Sequence, residues 1–225
     1  ILRHPEYDMA DRLLLDKIDK MRGVVKIGAQ EYQLKDCYFP TLKENDAYTL
    51  SVEEQQVIEE LRTAFINSHM LRKHVRFLYE KGSTYLCYNG NLLFHGCIPM
   101  TEDGAFASMN LDGKAYKGKA YMDHAAKVAR RAFFGNFNQS DIDFMWYLWC
   151  GKKSPLAGRT MKTFERTFVV DESTYNEPKN PYYRYYQQEK YCLKILHEFG
   201  LDGSMAHIIN GHTPIKVSKG ESPLK

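Results

Sequence analysis

No apolar stretch in these 225 residues approaches the roughly 20 consecutive positions that a membrane-spanning helix needs, so the chain reads as soluble, with no membrane partner. There is no C-x-x-C pair, and the five cysteines, Cys37, Cys87, Cys97, Cys150 and Cys192, are odd in number and widely spread. That argues against a disulfide framework or a structural zinc site and fits a reducing cytoplasm, with each thiol a small buried apolar residue rather than a nucleophile. An excess of one charge is missing too: 31 basic residues against 28 acidic ones leave a formal net charge of +3, and no nucleic-acid partner is expected. The opening Ile1-Leu2-Arg3-His4-Pro5-Glu6 lacks an initiator Met, a basic n-region and an apolar h-region. It reads as neither a signal peptide nor a natural N-terminus, and the chain is expected to be cut from something longer.

What is present is an ordinary globular composition, 44% hydrophobic and 26% charged, with length enough for one sizeable domain or for a domain plus an insertion. Gly23 to Ile27 and Glu31 to Leu34 read as two short strands, followed by a loop around Pro40. Ser51 with Glu54 forms a capping box, and Val57, Ile58, Leu61, Ala64, Phe65 and Leu71 recur at helical spacing, which predicts one long helix to about Glu80. Thr84–Tyr88 and Asn91–Phe94 flank Asn89-Gly90, a strong hairpin signal, and the second strand delivers His95. Gly104 to Gly118 reads as turn-rich, Tyr121–Phe134 as an amphipathic helix, and Ile142–Trp149 as a helix capped by Ser140 and Asp143. Gly151–Arg159 is a basic loop and Thr163–Val170 alternates like a strand. A last helix is expected from Pro181 to Gly200, and Ala206–Ile209 is a short strand that delivers Asn210-Gly211-His212-Thr213-Pro214.

Two places share one local design, an apolar strand ending in a histidine beside glycine: LLFHG at His95 and IINGH at His212. A strand end is a rigid platform, and the adjacent glycine allows a sharp turn that points the imidazole above the sheet. Two-metal hydrolytic sites gather ligands from strand ends in this way, and imidazole suits Mn, Fe or Zn better than Mg. A single histidine after a strand is usually a satisfied turn or core residue, and a two-metal site also wants carboxylates in Asp-x-His and Gly-Asp-x-x-Asp patterns, which this sequence lacks. Residues and spacing alone therefore leave a metal site and a pair of structural histidines both open. His69, His74, His124 and His197 fall on predicted helices and read as structural or surface residues. His207 begins the strand that leads to His212, about 16 Å away if fully extended, too far to share its metal.

NLLFHGCIPM at Asn91–Met100, WYLWCGKKSPLAGR at Trp146–Arg159, TFERTF and KNPYY between Thr163 and Tyr183, and HIINGHTPIKVSKGESP at His207–Pro223 resemble successive blocks of class III fructose-1,6-bisphosphatases. The opening RHPEYDMADRLLLDKID resembles the family as well, so the likeness covers nearly the whole chain. It implies the C-terminal part of a calcineurin-like metallophosphoesterase of mixed α/β (α+β) class: a partial sheet sandwich flanked by helices over residues 1–225, with a helical insertion at 119–200. By position it implies His95 and His212 as metal ligands, a two-metal site loaded with Mn2+, and catalytic residues and bridging aspartates upstream of Ile1. The implied reaction is hydrolysis of fructose 1,6-bisphosphate to fructose 6-phosphate, a gluconeogenic step. Tyr175 departs from the pattern where histidine is expected.

A sugar bisphosphate carries about four negative charges at neutral pH and needs compact cationic donors. Lys152, Lys153, Arg159 and Arg166 are the set expected to hold the substrate phosphate; a solvated basic loop is the plainer reading. Arg130 and Arg131 are weaker candidates, since neighbours on a helix cannot both face one ligand. The run Tyr182, Tyr183, Tyr185, Tyr186 is expected to pack rather than to stack on bases. Another metallophosphoesterase activity, on phosphoproteins or dinucleotides, and a folded metal-free binding module are the rival readings. Oligomeric state stays open.

Overall fold

The computed structural model describes residues 1–203, 205–212 and 214–222, so Thr213 and Pro223 of the motifs above lie outside the described residues. The chain divides into two compact units, Ile1–Lys81 with Lys162–Glu177, and Gly82–Met161 with Pro178–Lys225. The class is the mixed α/β expected, with small sheets and seven α-helices among the described residues.

In the first unit, β1 (Ile18–Asp19), β2 (Val24–Ile27) and β3 (Gln30–Gln33) form an antiparallel sheet. One face buries Val25 with Leu34 and Val169, and Phe164, Phe168 and Phe39 pack around them. Two helices follow the sheet, α1 (Val52–Asn67) and α2 (His69–Lys81), where one was predicted. The capping box of Ser51 and Glu54 is present, but Ser68 takes extended backbone and its Oγ accepts from the Leu71 amide, so one serine closes the first helix and caps the second. The apolar positions of α1 share a face, yet Val57, Ile58, Leu61 and Phe65 are all exposed.

The second unit begins with β4 (Tyr85–Tyr88) and β5 (Asn91–Phe94), joined by Asn89-Gly90 with positive φ at both residues, the backbone of a type I′ turn. A second hairpin of the same kind, β6 (Met109–Leu111) and β7 (Lys114–Tyr116) around Asp112-Gly113, lies in the stretch read from sequence as turns. α3 (Gly118–Phe134) and α4 (Gln139–Cys150) pack on one another. α4 starts earlier than expected because the Asn138 side chain, not Ser140, accepts the first amide.

The expected strand at Thr163–Val170 is instead α5 (Thr163–Phe168), in the first unit. Phe164 and Phe168 are four residues apart and meet on one helical face, with ring centroids 5.2 Å apart, and only Val169 enters a bridge, to Leu34. Glu165 between them is fully buried and is met by Arg12 and Lys162.

The expected last helix is two, α6 (Tyr182–Tyr185) and α7 (Glu189–Glu198), separated where Gln188 turns to extended backbone. β8 (His207–Asn210) returns to pair parallel with β5. Leu92, Phe94, Cys97, Ile98, Met122, Ile195 and Leu196 form the core beneath this sheet. Tyr182 is buried in that core edge-to-face with Phe94, so the tyrosine run packs, as expected.

Candidate functional site

The register of β5 with β8 decides where the two histidines go. Leu92 lies opposite Ile208 and Phe94 opposite Asn210, and the strands run parallel, so both chains leave the sheet at the same end, side by side. The Gly211 amide extends the ladder by donating to the His95 carbonyl at 3.0 Å. His212 then takes a left-handed φ of 60° and brings its ring against that of His95, with centroids 5.0 Å apart and nearly perpendicular. Nε2 of His95 and Nδ1 of His212 face each other at 3.1 Å.

Arg159 closes the group from the other side, with Nη2 2.7 Å from Nε2 of His212. A guanidinium only donates, so Nε2 of His212 is the acceptor and its proton sits on Nδ1, shared with Nε2 of His95. Burial first, and then the positive charges of Arg159, His95 and Lys179, hold the His212 pKa below the ordinary histidine value. That favours the neutral ring, and ligation through Nδ1 would further require its proton to move to Nε2 as Arg159 turned away.

The basic loop reaches the histidines through a close backbone approach. Cys97 donates its amide to the Pro155 carbonyl at 3.0 Å, and a Cβ at Gly96 would stand 2.5 Å from that same oxygen. Inside the loop, the fully buried Ser154 donates its hydroxyl to the Leu148 carbonyl and accepts from the amides of Leu156 and Ala157 at 3.1 and 3.2 Å. Arg159 then pairs across an antiparallel bridge with Lys179, flanked by backbone bonds from Asn180 to Gly158 and from Thr160 to Pro178. Asn180 and Asn210 tie these pieces together. Asn180 Oδ1 accepts from the amides of Met100 and Tyr182, while Asn210 Nδ2 donates to the Gly96 carbonyl and the Tyr182 hydroxyl.

Lys152 and Lys153 line an adjoining cleft of about 390 Å³ with Thr160, Lys179 and Asn180. Lys153 is tethered there, its Nζ 3.0 Å from the Ser108 carbonyl. Arg166 belongs to the first unit, where it meets the Tyr175 carbonyl at 3.2 Å and Glu177 at 3.5 Å. Arg131 pairs with the buried Asp141 and Arg130 binds the Gly82 carbonyl, both structural roles. His207, at the far end of β8, is exposed. Sequence reasoning assigned no role to Lys179, Asn180 or Asn210, although the first two stand in the KNPYY motif and the third in IINGH.

The 3.1 Å separation of His95 Nε2 from His212 Nδ1 is that of a hydrogen bond between the two rings, and the pair of nitrogens is a candidate for metal ligation. Among the described residues no group of three or more His, Cys, Asp or Glu stands together, so a metal at this place would need ligands beyond these two.

A family model described as Firmicute fructose-1,6-bisphosphatase matches residues 1–225. The chain is 46% identical over 230 residues to a class 3 fructose-1,6-bisphosphatase of Clostridium novyi (strain NT), and 47% identical to those of Clostridium acetobutylicum and Listeria innocua. Each match covers 100% of this chain and 35% of the relative, so the chain spans about a third of the length of these curated relatives. No solved structure matches.

Proposed function

Because the chain belongs to the Firmicute fructose-1,6-bisphosphatase family, we propose that it supplies one wall of a two-metal phosphatase site that hydrolyses the 1-phosphate of fructose 1,6-bisphosphate. The observation that carries this reading is the facing of His95 Nε2 and His212 Nδ1 at 3.1 Å, at the ends of adjacent parallel strands. His95 and His212 would help hold a divalent metal pair, which would polarise phosphoryl oxygens and make water more acidic. Manganese is the metal we assign, since imidazole ligands suit it better than they suit magnesium. The remaining ligands, carboxylates above all, belong to parts of the protein outside this chain.

The roles we give this chain's residues follow from their chemistry. His95 and His212 offer neutral nitrogens. Arg159 now donates to Nε2 of His212, and its planar fork suits it to a phosphoryl oxygen brought to the same place. Lys152 and Lys153 lie in the adjoining cleft, which supports the reading that they receive the phosphate that is not cleaved. Arg166, already paired with Glu177, is the weakest member of the set. All five cysteines are free thiols, in keeping with the cytoplasm as the compartment.

His212→Ala in the full-length protein tests the proposal. It should lower kcat by about a thousandfold or more and, read by elemental analysis, reduce the bound metal. Unchanged metal content together with unchanged kcat would sink it.

A further inference from the structure

We propose that Lys179 is a specificity-determining residue, the mobile cation of an anion site in the cleft beside Arg159 that receives the substrate's second phosphate. The inference rests on the phosphatase reading above, and four observations lead to it.

The first is register. Arg159 and Lys179 are directly opposed across an antiparallel bridge, locked by backbone bonds on either side at 2.8 and 3.0 Å. Residues so opposed project from the same face of the ladder. One cation of the pair reaches the histidines and the other lines the cleft. A ligand with two anionic groups would be met at both ends by a single rigid piece of backbone.

The second is charge. The cleft of about 390 Å³ is lined by three lysines, Lys152, Lys153 and Lys179, against one carboxylate, Glu102. That carboxylate is already taken by Arg184. Thr160 and Asn180 add neutral polar groups to the lining, so lysine charge outnumbers carboxylate charge three to one in it.

The third separates the lysines from one another. Lys153 is engaged with the Ser108 carbonyl at 3.0 Å. Lys179 is exposed, and among the described residues its side chain has no carboxylate or carbonyl partner; its Nζ rests over the Tyr183 ring, 5.5 Å from the centroid. A cation held only by a ring face and placed at a basic cleft can turn to an arriving phosphate without breaking an ion pair.

The fourth concerns the surroundings. The hydroxyl of Tyr183, under that lysine, is buried and makes no hydrogen bond among the described residues. Burial and the neighbouring Cys97 push its pKa up, so it stays a protonated donor without an acceptor behind the lysine.

The test uses the full-length protein with Lys179→Met and Lys179→Arg. Against fructose 1,6-bisphosphate, kcat/KM should fall about tenfold to hundredfold in Lys179→Met, mainly through KM, and Lys179→Arg should recover most of it. Against p-nitrophenyl phosphate, which has no second phosphate, both variants should stay within about twofold of the parent. Equal losses on the two substrates, or no loss on the bisphosphate, overturn the assignment. Inorganic phosphate gives an arm independent of turnover. Titrated calorimetrically into the metal-free protein, it should bind Lys179→Met at least about tenfold more weakly than the parent. If fructose 1,6-bisphosphate proves not to be a substrate while this difference holds, the phosphatase reading fails and the anion site stands. If phosphate binds both proteins alike, the anion site fails whatever the activities show.

Discussion

Gly96→Ala isolates the contact on which the site's assembly depends. An added Cβ would lie 2.5 Å from the Pro155 carbonyl oxygen and 2.9 Å from that of Leu156, both backbone atoms that no rotamer change can move aside. Ordinary contact begins near 3.4 Å, so the loop must retreat by about 0.5–1 Å and loosen the bond from the Cys97 amide to Pro155. Overpacking of this kind costs about 1–3 kcal/mol and the weakened hydrogen bond about 1 more, giving about 2–4 kcal/mol in all. With a urea m-value of about 2–3 kcal/mol/M, the unfolding midpoint should drop by about 1 M. The displaced loop carries Arg159 and the two lysines, and a shift of about 1 Å in such groups is enough to cost about a hundredfold in rate. Gly211→Ala is the matched control for stability. Its Cβ would meet the His95 carbonyl at 3.6 Å, an ordinary distance, and its φ lies outside the left-handed region, so its stability should change by no more than about 0.5 kcal/mol, a midpoint shift of about 0.2 M. Equal urea midpoints for the two variants would refute the close-approach argument.

Two further predictions concern stability. Arg12→Met removes a bidentate partner, 2.9 and 3.1 Å from the two oxygens of the fully buried Glu165, and leaves that carboxylate with Lys162 alone at 2.9 Å; it should cost about 3 kcal/mol by urea unfolding, and a loss below about 1 would mean Lys162 suffices. His124 is stacked on Tyr116 at 4.0 Å and faces Phe144, and its pKa is lowered by burial first and then by Arg131 and Lys127 against the opposing pull of Asp112 and Asp141. The unfolded chain, with a histidine pKa of about 6.5, then binds the proton more readily than the folded one, so this contribution to stability is complete above about pH 6.5 and is lost as pH falls through that value towards the lower folded pKa. The urea midpoint should decline between about pH 7.5 and 5.5, less steeply in His124→Gln, and an NMR titration placing His124 at or above 6.5 would refute the assignment.

The parts of the fold that the sequence makes legible are those set by local chemistry. Asn89-Gly90 fixes a hairpin because both central residues need positive φ, and the capping box at Ser51 fixes a helix start because side chain and backbone satisfy one another within four residues. Asp112-Gly113 carries the same turn chemistry and is readable in principle, but the strands around it are three residues each, too short for the Met109/Leu111 alternation to stand out. Periodicity misleads where its cause is elsewhere. Thr163–Phe168 looks alternating, yet its two phenylalanines stand at helical spacing, and its buried central glutamate is neutralised by the neighbouring Lys162 together with Arg12, far away in sequence. On α1, periodicity correctly identifies a shared face and says nothing about what covers it, so Phe65 is in phase with Leu61 and both are exposed.

The candidate site divides along the same line. Each histidine is visible as a strand-end residue beside glycine, because that design is local. Their facing geometry depends on a parallel register between Phe94 and Asn210, more than a hundred residues apart, and on a left-handed φ at His212 that no neighbouring residue announces. Lys179 is less visible still. In sequence it is one lysine before Asn-Pro, an ordinary loop residue, and its meaning comes from standing opposite Arg159 on a bridge that forms only once Gly96 lets the basic loop close against the histidine strand. A cation's role in such a site is a property of what it faces, and facing is set by long-range pairing; the residues that permit the pairing, Gly96, Asn180 and Asn210, therefore constrain the chemistry as firmly as those that would touch the ligand.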